Sequence, residues 1–312
     1  MSPEMLYVYT IWQEGSFSKA AKKLYLTQPA LSIAVRKLEE RIGMPLFDRK
    51  RKPLCLTDAG EVYIETAQKE LQLEREQQQK FDDIKNLSTG SVCIGGTHYL
   101  NAYILPEVLA DFSRRYPGIE LQIKESSARS VAQMLADRSI DVTFNCDPEL
   151  VRDFPRYEMF VDHVLLAVPA SDPINERYGS FALTAEQVVR GEHLDPWLKR
   201  IGLDAFAELP IILLRRGNNL HDRAWGMFKE VQVEPVIKME LNQLVTAFHL
   251  AEAGMGATFV SDRIVDVHSD SLLFYPLASA LAKRTFYILL PKDAYVPVSV
   301  RKLVDHVLEW GL

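Results

Sequence analysis

Apolar positions recur at three- and four-residue spacing from 5 to 42 with almost no Gly or Pro inside, a pattern that predicts short helices broken at Gly15 and at Tyr25-Leu26-Thr27. In the last of these helices Leu31, Val35, Leu38 and Ile42 make one stripe, which leaves Gln28, Ser32 and Arg36 aligned on another face. Two short apolar stretches, Leu46-Phe47 and Leu54-Cys55-Leu56, then flank Asp48-Arg49-Lys50-Arg51-Lys52-Pro53, as in a small hairpin with a basic tip. Thr57 reads as the cap of a following helix, whose pattern runs without Pro to about 87. That helix is mostly Glu, Gln, Lys and Leu. Its apolar positions Ile64, Ala67, Leu71, Phe81 and Ile84 leave a gap over 74–80, so they suit pairing with a second copy better than a continuous coiled coil.

From 91 the rhythm changes to short apolar runs alternating with amphipathic segments. Strands are predicted at 92–96, 121–125 and 142–145, with helices at 104–116 and 131–137 between them. Further strands are predicted at 164–168, 211–214, 236–239, 257–260 and 286–290. Such alternation argues for an α/β domain with a largely parallel sheet, and its length suits two lobes, the second at about 166–266. The expected organisation is an all-α winged helix-turn-helix over 1–58, a linker and dimerisation helix over 59–88, and a two-lobed α/β regulatory domain over 91–312.

Composition is that of an ordinary globular chain, and the net charge of −6 argues against wholesale coating of nucleic acid. The charge is unevenly spread, however. Residues 1–60 carry ten Lys and Arg against six Asp and Glu, whereas the rest of the chain is acidic. This is the footprint of a small DNA-binding unit attached to an acidic partner domain. The three cysteines, Cys55, Cys93 and Cys146, are far apart with no C-x-x-C pair, which fits a reducing compartment and offers no metal or redox motif. Apolar runs such as 164–170 are far shorter than a membrane span, so a cytoplasmic protein with no membrane partner is expected.

In 18–32 small Ala residues permit a close helix crossing, Thr27 can cap the second helix, and Pro29 falls in its first turn, where amides have no intrahelical partner. An isolated helical hairpin would carry little meaning. Here hairpin, capped second helix, basic wing and long exit helix follow in the order of a DNA reader. Gln28 can read adenine, Arg36 guanine, and Ser32 a base edge or phosphate. Ser18, Thr27 and Pro29 complete the DNA-facing set. Arg49, Lys50, Arg51 and Lys52 are expected to lie along phosphates of double-stranded DNA.

Together Gly15-Ser16-Phe17-Ser18, Ala20-Ala21, Leu24, Thr27-Gln28-Pro29-Ala30-Leu31-Ser32, Leu38-Glu39, Gly43, Pro45-Leu46-Phe47-Asp48-Arg49 and Leu56-Thr57-Asp58-Ala59-Gly60 resemble the LysR-type transcriptional regulators. The sharp motifs lie in the first 60 residues. The resemblance implies a regulatory domain like a periplasmic binding protein, a homodimer or homotetramer joined through the linker helix, and RNA polymerase as a partner if the protein activates. It also implies a small-molecule effector between the lobes.

In open α/β sheets ligands bind beyond the carboxyl ends of strands. That rule selects Thr97, His98, Ser127, Asn145 and Arg215, and the resemblance adds Asn242 and Gln243. A polar or carboxylate-bearing effector suits this set, because Arg presents paired donors to a carboxylate. The alternative for Arg215 and Arg216 is a pair of surface ion pairs. Cys146, near the predicted cleft, reads as a buried thiol. Gly254 to Gly256 resembles the family's glycine-rich turn, but Phe259-Val260-Ser261-Asp262 replaces the Leu-Pro type of ending, a departure that concerns the local loop shape and not the fold.

The competing class is a metabolite-processing enzyme carrying a DNA-binding module. Against it, there is no G-x-S-x-G, no G-x-x-x-x-G-K-[ST] and no H-E-x-x-H, and the seven His are scattered along the chain. No catalytic residue, cofactor or metal is expected, and His221 and His249 read as cap and packing residues. A transport-type solute-binding module would lack the basic winged amino end.

Overall fold

Ser2, Ser16 and Thr27 each sit in extended backbone and accept a hydrogen bond from an amide three residues on, so each starts a helix: α1 (Pro3–Glu14), α2 (Phe17–Lys23) and α3 (Gln28–Ile42). The computed structural model describes residues 1–49, 51, 53–84 and 89–311. Strands β1 (Phe47–Asp48) and β2 (Cys55–Leu56) pair antiparallel to make the wing, and α4 (Asp58–Ile84) leaves it. Thr57 caps α4 as expected, its Oγ1 accepting from the Gly60 amide at 3.1 Å.

The core of this first unit, 1–86, gathers Val8 and Ile11 of α1, Ala20 and Ala21 of α2, and Leu31, Val35 and Leu38 of α3. Ile64 of α4 joins it at 4% exposure and Ala67 is fully buried, although the sequence assigned both to pairing with a second copy. They cover the chain's own helices, α1 being packed on α4. Val62, Leu73, Phe81 and Ile84 are the exposed apolar positions of α4.

The second unit, 87–312, is built on two half-sheets that share one long strand. Its elements in order are β3 (Gly90–Gly96), α5 (Leu105–Arg115), β4 (Ile119–Glu125), α6 (Ala128–Ala136), β5 (Val142–Asn145), α7 (Pro148–Val151) and β6 (Arg156–Pro169). The chain continues through α8 (Ile174–Tyr178), α9 (Ala185–Val189), β7 (Pro210–Leu214), α10 (Asn219–Glu230), β8 (Val236–Leu241), α11 (Leu244–Glu252) and β9 (Ala257–Ser261). It closes with β10 (Leu272–Pro276), β11 (Lys283–Leu289) and α12 (Val298–Trp310).

In the first half-sheet the order is β4-β3-β5-β11-β6, and in the second β6-β9-β7-β8, with β10 on the other side of β6. The front of β6, 156–163, pairs with β11, and its rear, from Val164 on, pairs with β9 and β10. β6 therefore carries the chain from one lobe to the other, and the segment from β10 to β11 carries it back.

The sheet is mixed where a largely parallel one was expected. β3 pairs parallel with β4 and β5, and β7 with β8 and β9, but every pairing of β6 and β11 is antiparallel. A strand shared by both lobes cannot be reached by a right-handed helical crossover from each, so the return strands run against it. The second half-sheet also runs past 266, because β10 lies beyond that point and belongs to it.

Candidate functional site

On α3 the helical period sorts the side chains as the sequence implies. Leu31, Val35 and Leu38 are buried, while Gln28 and Arg36 are exposed and Ser32 half-buried on the other side. Gln28 Nε2 donates to Ser32 Oγ at 3.4 Å, so the two polar groups one turn apart are adjacent. Thr27 Oγ1 accepts from the Ala30 amide at 3.4 Å, and Pro29 occupies the first turn. Ser18 is exposed on α2.

The wing is more tightly held than its sequence suggests. Glu39 reaches from α3, its Oε1 accepting from the Leu46 amide at 2.8 Å and its Oε2 from Arg49 at 2.9 Å. The Arg49 guanidinium also lies 5.0 Å from the centre of the Phe17 ring. Arg49 is thus engaged with its own unit, and Arg51 sits 3.4 Å from Asp48 with most of its side chain exposed. Lys50 and Lys52 lie outside the described residues. Tyr25, in the turn before Thr27, adopts positive φ and is 96% exposed; the sequence marked it only as a break.

In the second unit all seven residues chosen for the effector line one cavity of about 410 Å³. Thr97 and His98 follow β3, Arg215 follows β7, and Asn242 and Gln243 follow β8. Ser127 caps α6, accepting from the Ser130 amide at 3.2 Å. Asn145 ends β5 at 3% exposure, with Oδ1 accepting from the Asp147 amide and Nδ2 donating to the Ala128 carbonyl. Arg215 and Arg216 are exposed at the rim, and neither makes an ion pair among the described residues. Among the described residues Glu125 is the one acidic member of the lining, and it faces His98 Nδ1 at 3.4 Å. Phe144, Phe286, Leu100 and Leu214 supply apolar walls.

Sequence reasoning missed the cavity's deepest charge. Arg284 lies opposite Asp162 in the β11–β6 register, where the strands cross between lobes, and donates through Nε to Asp162 Oδ1 at 2.7 Å and through a terminal nitrogen to Oδ2. Ser261 donates to Asp162 at 2.9 Å, and Tyr99 OH lies 2.8 Å from Ser261 Oγ. Burial works against the Arg284 charge, but adjacent Asp162 outweighs it and holds the guanidinium protonated beyond its usual range. Burial, and next the Asp162 charge, push the Tyr99 hydroxyl well up. Burial likewise lifts the Cys146 thiol to about 11, against a smaller opposing pull from Arg284.

A helix-turn-helix with one open polar face, and a two-lobed domain with a cavity of apolar walls and convergent polar groups at its strand ends, define a DNA-binding regulator with a ligand-receiving domain. Residues 4–61 match the bacterial regulatory helix-turn-helix protein model of the lysR family, and residues 85–311 match the LysR substrate binding domain. The chain belongs to the LysR family of transcriptional regulators. It is similar to the "Probable RuBisCO transcriptional regulator" of Emiliania huxleyi, with 28% identity covering 98% of this chain and 93% of that one. A protein of the same name from Cyanidioschyzon merolae is 30% identical over 80% of this chain and 77% of its own.

Among solved structures the chain is similar to full-length CbnR complexed with its target DNA, with TM-score 0.68, 19% identity and full coverage of both chains. It is also similar to the effector binding domain of QuiR in complex with shikimate, with TM-score 0.58 and 15% identity over 72% of this chain and 97% of that one. These likenesses establish the fold.

Proposed function

We propose that the cavity at the strand ends binds a small polar anion, carboxylate-bearing and with hydroxyl groups, and that this ligand sets how the protein engages DNA. The observation that carries the reading is the convergence of Thr97, His98, Ser127, Asn145, Arg215, Asn242 and Gln243 on one cavity that reaches down to Arg284. Arg215 and Arg216 attract and orient a carboxylate at the rim, while Ser127, Asn145, Asn242 and Gln243 offer donors and acceptors to hydroxyls. Phe144 and Phe286 cover a short carbon skeleton.

The cavity suits binding rather than turnover. Cys146, its buried thiol, is held protonated, and His98 is directed at Glu125. A ligand that binds two lobe arrangements with different affinity shifts their populations, and this is how occupancy would reach the DNA readers. On the DNA side Gln28, Ser32 and Arg36 read base edges, Ser18, Thr27 and Pro29 lie beside them, Lys50, Arg51 and Lys52 contact phosphates, and Arg49 braces the wing against Glu39 and Phe17. The exposed apolar positions of α4 support assembly of a homodimer or homotetramer. A cytoplasmic setting follows from the DNA partner; among the described residues no helix is long and apolar enough to cross a membrane. RNA polymerase is a partner where the bound promoter is activated.

Thermal-shift screening of the full-length protein against small hydroxycarboxylates and dicarboxylates, followed by calorimetry of the best ligand on wild type and Arg215→Ala, tests the reading. Saturable binding lost in the variant supports it. A ligand that binds Arg215→Ala and Asn145→Ala as tightly as wild type sinks it.

A further inference from the structure

A second polar cluster lies across the strand crossing from the cavity. The Val164–Ser261 pairing of β6 and β9 sets their neighbours His163 and Asp262 side by side, and the turn after α9 brings in His193. The His163 amide donates to Asp262 Oδ1 at 3.0 Å, and its Nδ1 lies 3.3 Å from Oδ2. His193 Nε2 lies 2.9 Å from the same Oδ2. One potential ligand atom from each residue lies within 4.8 Å of the other two. The scattered histidines gave no such signal in the sequence, where no metal was expected.

We propose that His163, His193 and Asp262 form a binding site for one divalent transition-metal ion of the zinc type. Zinc takes bonds of about 2.0–2.1 Å to imidazole nitrogen and carboxylate oxygen, which spaces ligand atoms about 3.4 Å apart around a tetrahedron. The nitrogens already stand 2.9 and 3.3 Å from the shared oxygen, so a modest spreading admits the ion. Two imidazoles and one carboxylate favour zinc, cobalt or nickel over magnesium or calcium, which prefer all-oxygen shells.

The nitrogens of His163 and His193 that face Asp262 Oδ2 would exchange their hydrogen bonds to the carboxylate for bonds to the ion, so metal uptake displaces protons. Burial pushes the Asp262 carboxyl up, but hydrogen bonds from His163 and His193 outweigh it and hold it ionised well below the usual range. His193 is 6% exposed and its Nδ1 is buried with no partner, so a ring that gives Nε2 to the ion carries its proton on Nδ1 without an acceptor, a cost the metal bond has to outweigh. His163 keeps 30% of its side chain exposed. That opening gives the ion an entry path and leaves a fourth coordination position for water. By contrast, His98–Glu125, His221–Asp222 and His249–Glu252 are each a single imidazole with a single carboxylate.

The position gives the site a consequence for switching. His163 follows Asp162 along β6, where alternation turns neighbours to opposite faces, and Asp262 opens the turn after β9 with its Oδ1 3.4 Å from Ser261 Oγ, which also donates to Asp162. The ion would clamp from one face the crossing that the Asp162–Arg284 pair holds from the other, tying the 192–194 turn to β6 and β9.

The test is calorimetric titration of zinc chloride into the tag-free, chelator-stripped full-length protein, with cobalt absorption as a second readout. One equivalent per chain, intense tetrahedral cobalt bands, and binding weakened roughly tenfold or more in His163→Gln are expected, a loss in line with the sensitivity of metal sites to their shells. His163 is the most exposed of the three, so this variant disturbs the fold least. Should it fail to fold, the wild-type cobalt spectrum still decides. Weak octahedral bands without saturation, or zinc binding undiminished in a folded His163→Gln or Asp262→Asn protein, overturn the proposal and leave the cluster a hydrogen-bonded support for the crossing.

Discussion

Arg284 and Asp162 face each other across the β11–β6 pairing at the point where the chain passes between lobes, joined by two hydrogen bonds, with Asp162 fully buried and Arg284 4% exposed. Two charges out of water are tolerable only while each answers the other, and Tyr99 and Ser261 complete the shell around the carboxylate. Asp162→Asn leaves the guanidinium buried and unanswered. It should lower the stability of the regulatory unit by about 3–5 kcal/mol, measured as the later or earlier of two resolved urea transitions, whereas Asp162→Asn with Arg284→Met should recover much of the loss. If the single variant costs no more than the double, the pair does not hold the crossing.

That pair was illegible in the sequence, and the reason is physical. Asp162 and Arg284 stand 122 residues apart, and a lone buried charge has no period to betray it. The same holds for His193 and Asp262, 69 apart. What repeats is readable. The stripe of Leu31, Val35 and Leu38 follows from 3.6 residues per turn, and the rule that ligands gather at strand ends selected five residues that the fold brings to one cavity, together with Asn242 and Gln243, which the family resemblance supplied. Where the pattern blurs, the reading blurred too. The front half of β6 carries Tyr157, Glu158 and Asp162 among apolar residues, so alternation marks only its rear as strand, and β10 lies outside the strands that the pattern predicts.

Gly60 explains one of the family motifs. A Cβ built there would lie 2.0 Å from the Leu46 carbonyl oxygen, which also accepts from the Thr57 amide at 3.0 Å. The first turn of α4 is pressed onto the wing's base, and backbone cannot retreat as a side chain can. Gly60→Ala should destabilise the DNA-binding unit by about 1–3 kcal/mol or more and abolish DNA binding, with the transition of the regulatory unit unmoved. A variant that still binds DNA with wild-type affinity would mean that the wing can shift without loss.

Base reading and phosphate contact should separate on α3 and the wing. Arg36→Ala should weaken specific binding by about 1–3 kcal/mol while leaving binding to random DNA nearly unchanged, as a bidentate base contact requires. Arg51→Ala should lower affinity on all sequences and make the slope of log K against log salt shallower by about 0.9, one phosphate's share. Arg49→Ala should behave differently again, because its guanidinium is committed to Glu39 and Phe17 and its loss loosens the wing. Gel shifts at several salt concentrations on specific and random duplexes sort the three. An equal loss on both duplexes for Arg36→Ala would reassign it to phosphate.

Cys146 supplies a pH dependence whose sign can be worked through. Its thiol is buried beside Asn219, and burial lifts it to about 11 from an ordinary value of 9.0. Below pH 9 the thiol is protonated in both folded and unfolded chains and contributes nothing to the difference. Between about pH 9 and 11 the unfolded chain releases its proton first, so the native state loses stability as pH rises, by about 2–3 kcal/mol across the window. Above it the loss stops growing. Urea midpoints of the regulatory unit in wild type and Cys146→Ala, taken from pH 8 to 11, isolate this contribution, since every other group titrates alike in both. The gap between them should shift steadily in favour of the variant. The same protonation makes Cys146 slow to react at pH 7, where its thiolate fraction is on the order of one in ten thousand, so half-exposed Cys55 should be the thiol that maleimide labels first in the native protein. A constant gap from pH 8 to 11, or Cys146 labelling as fast as Cys55, would show that water reaches this end of the cavity more freely than the packing around Cys146 implies.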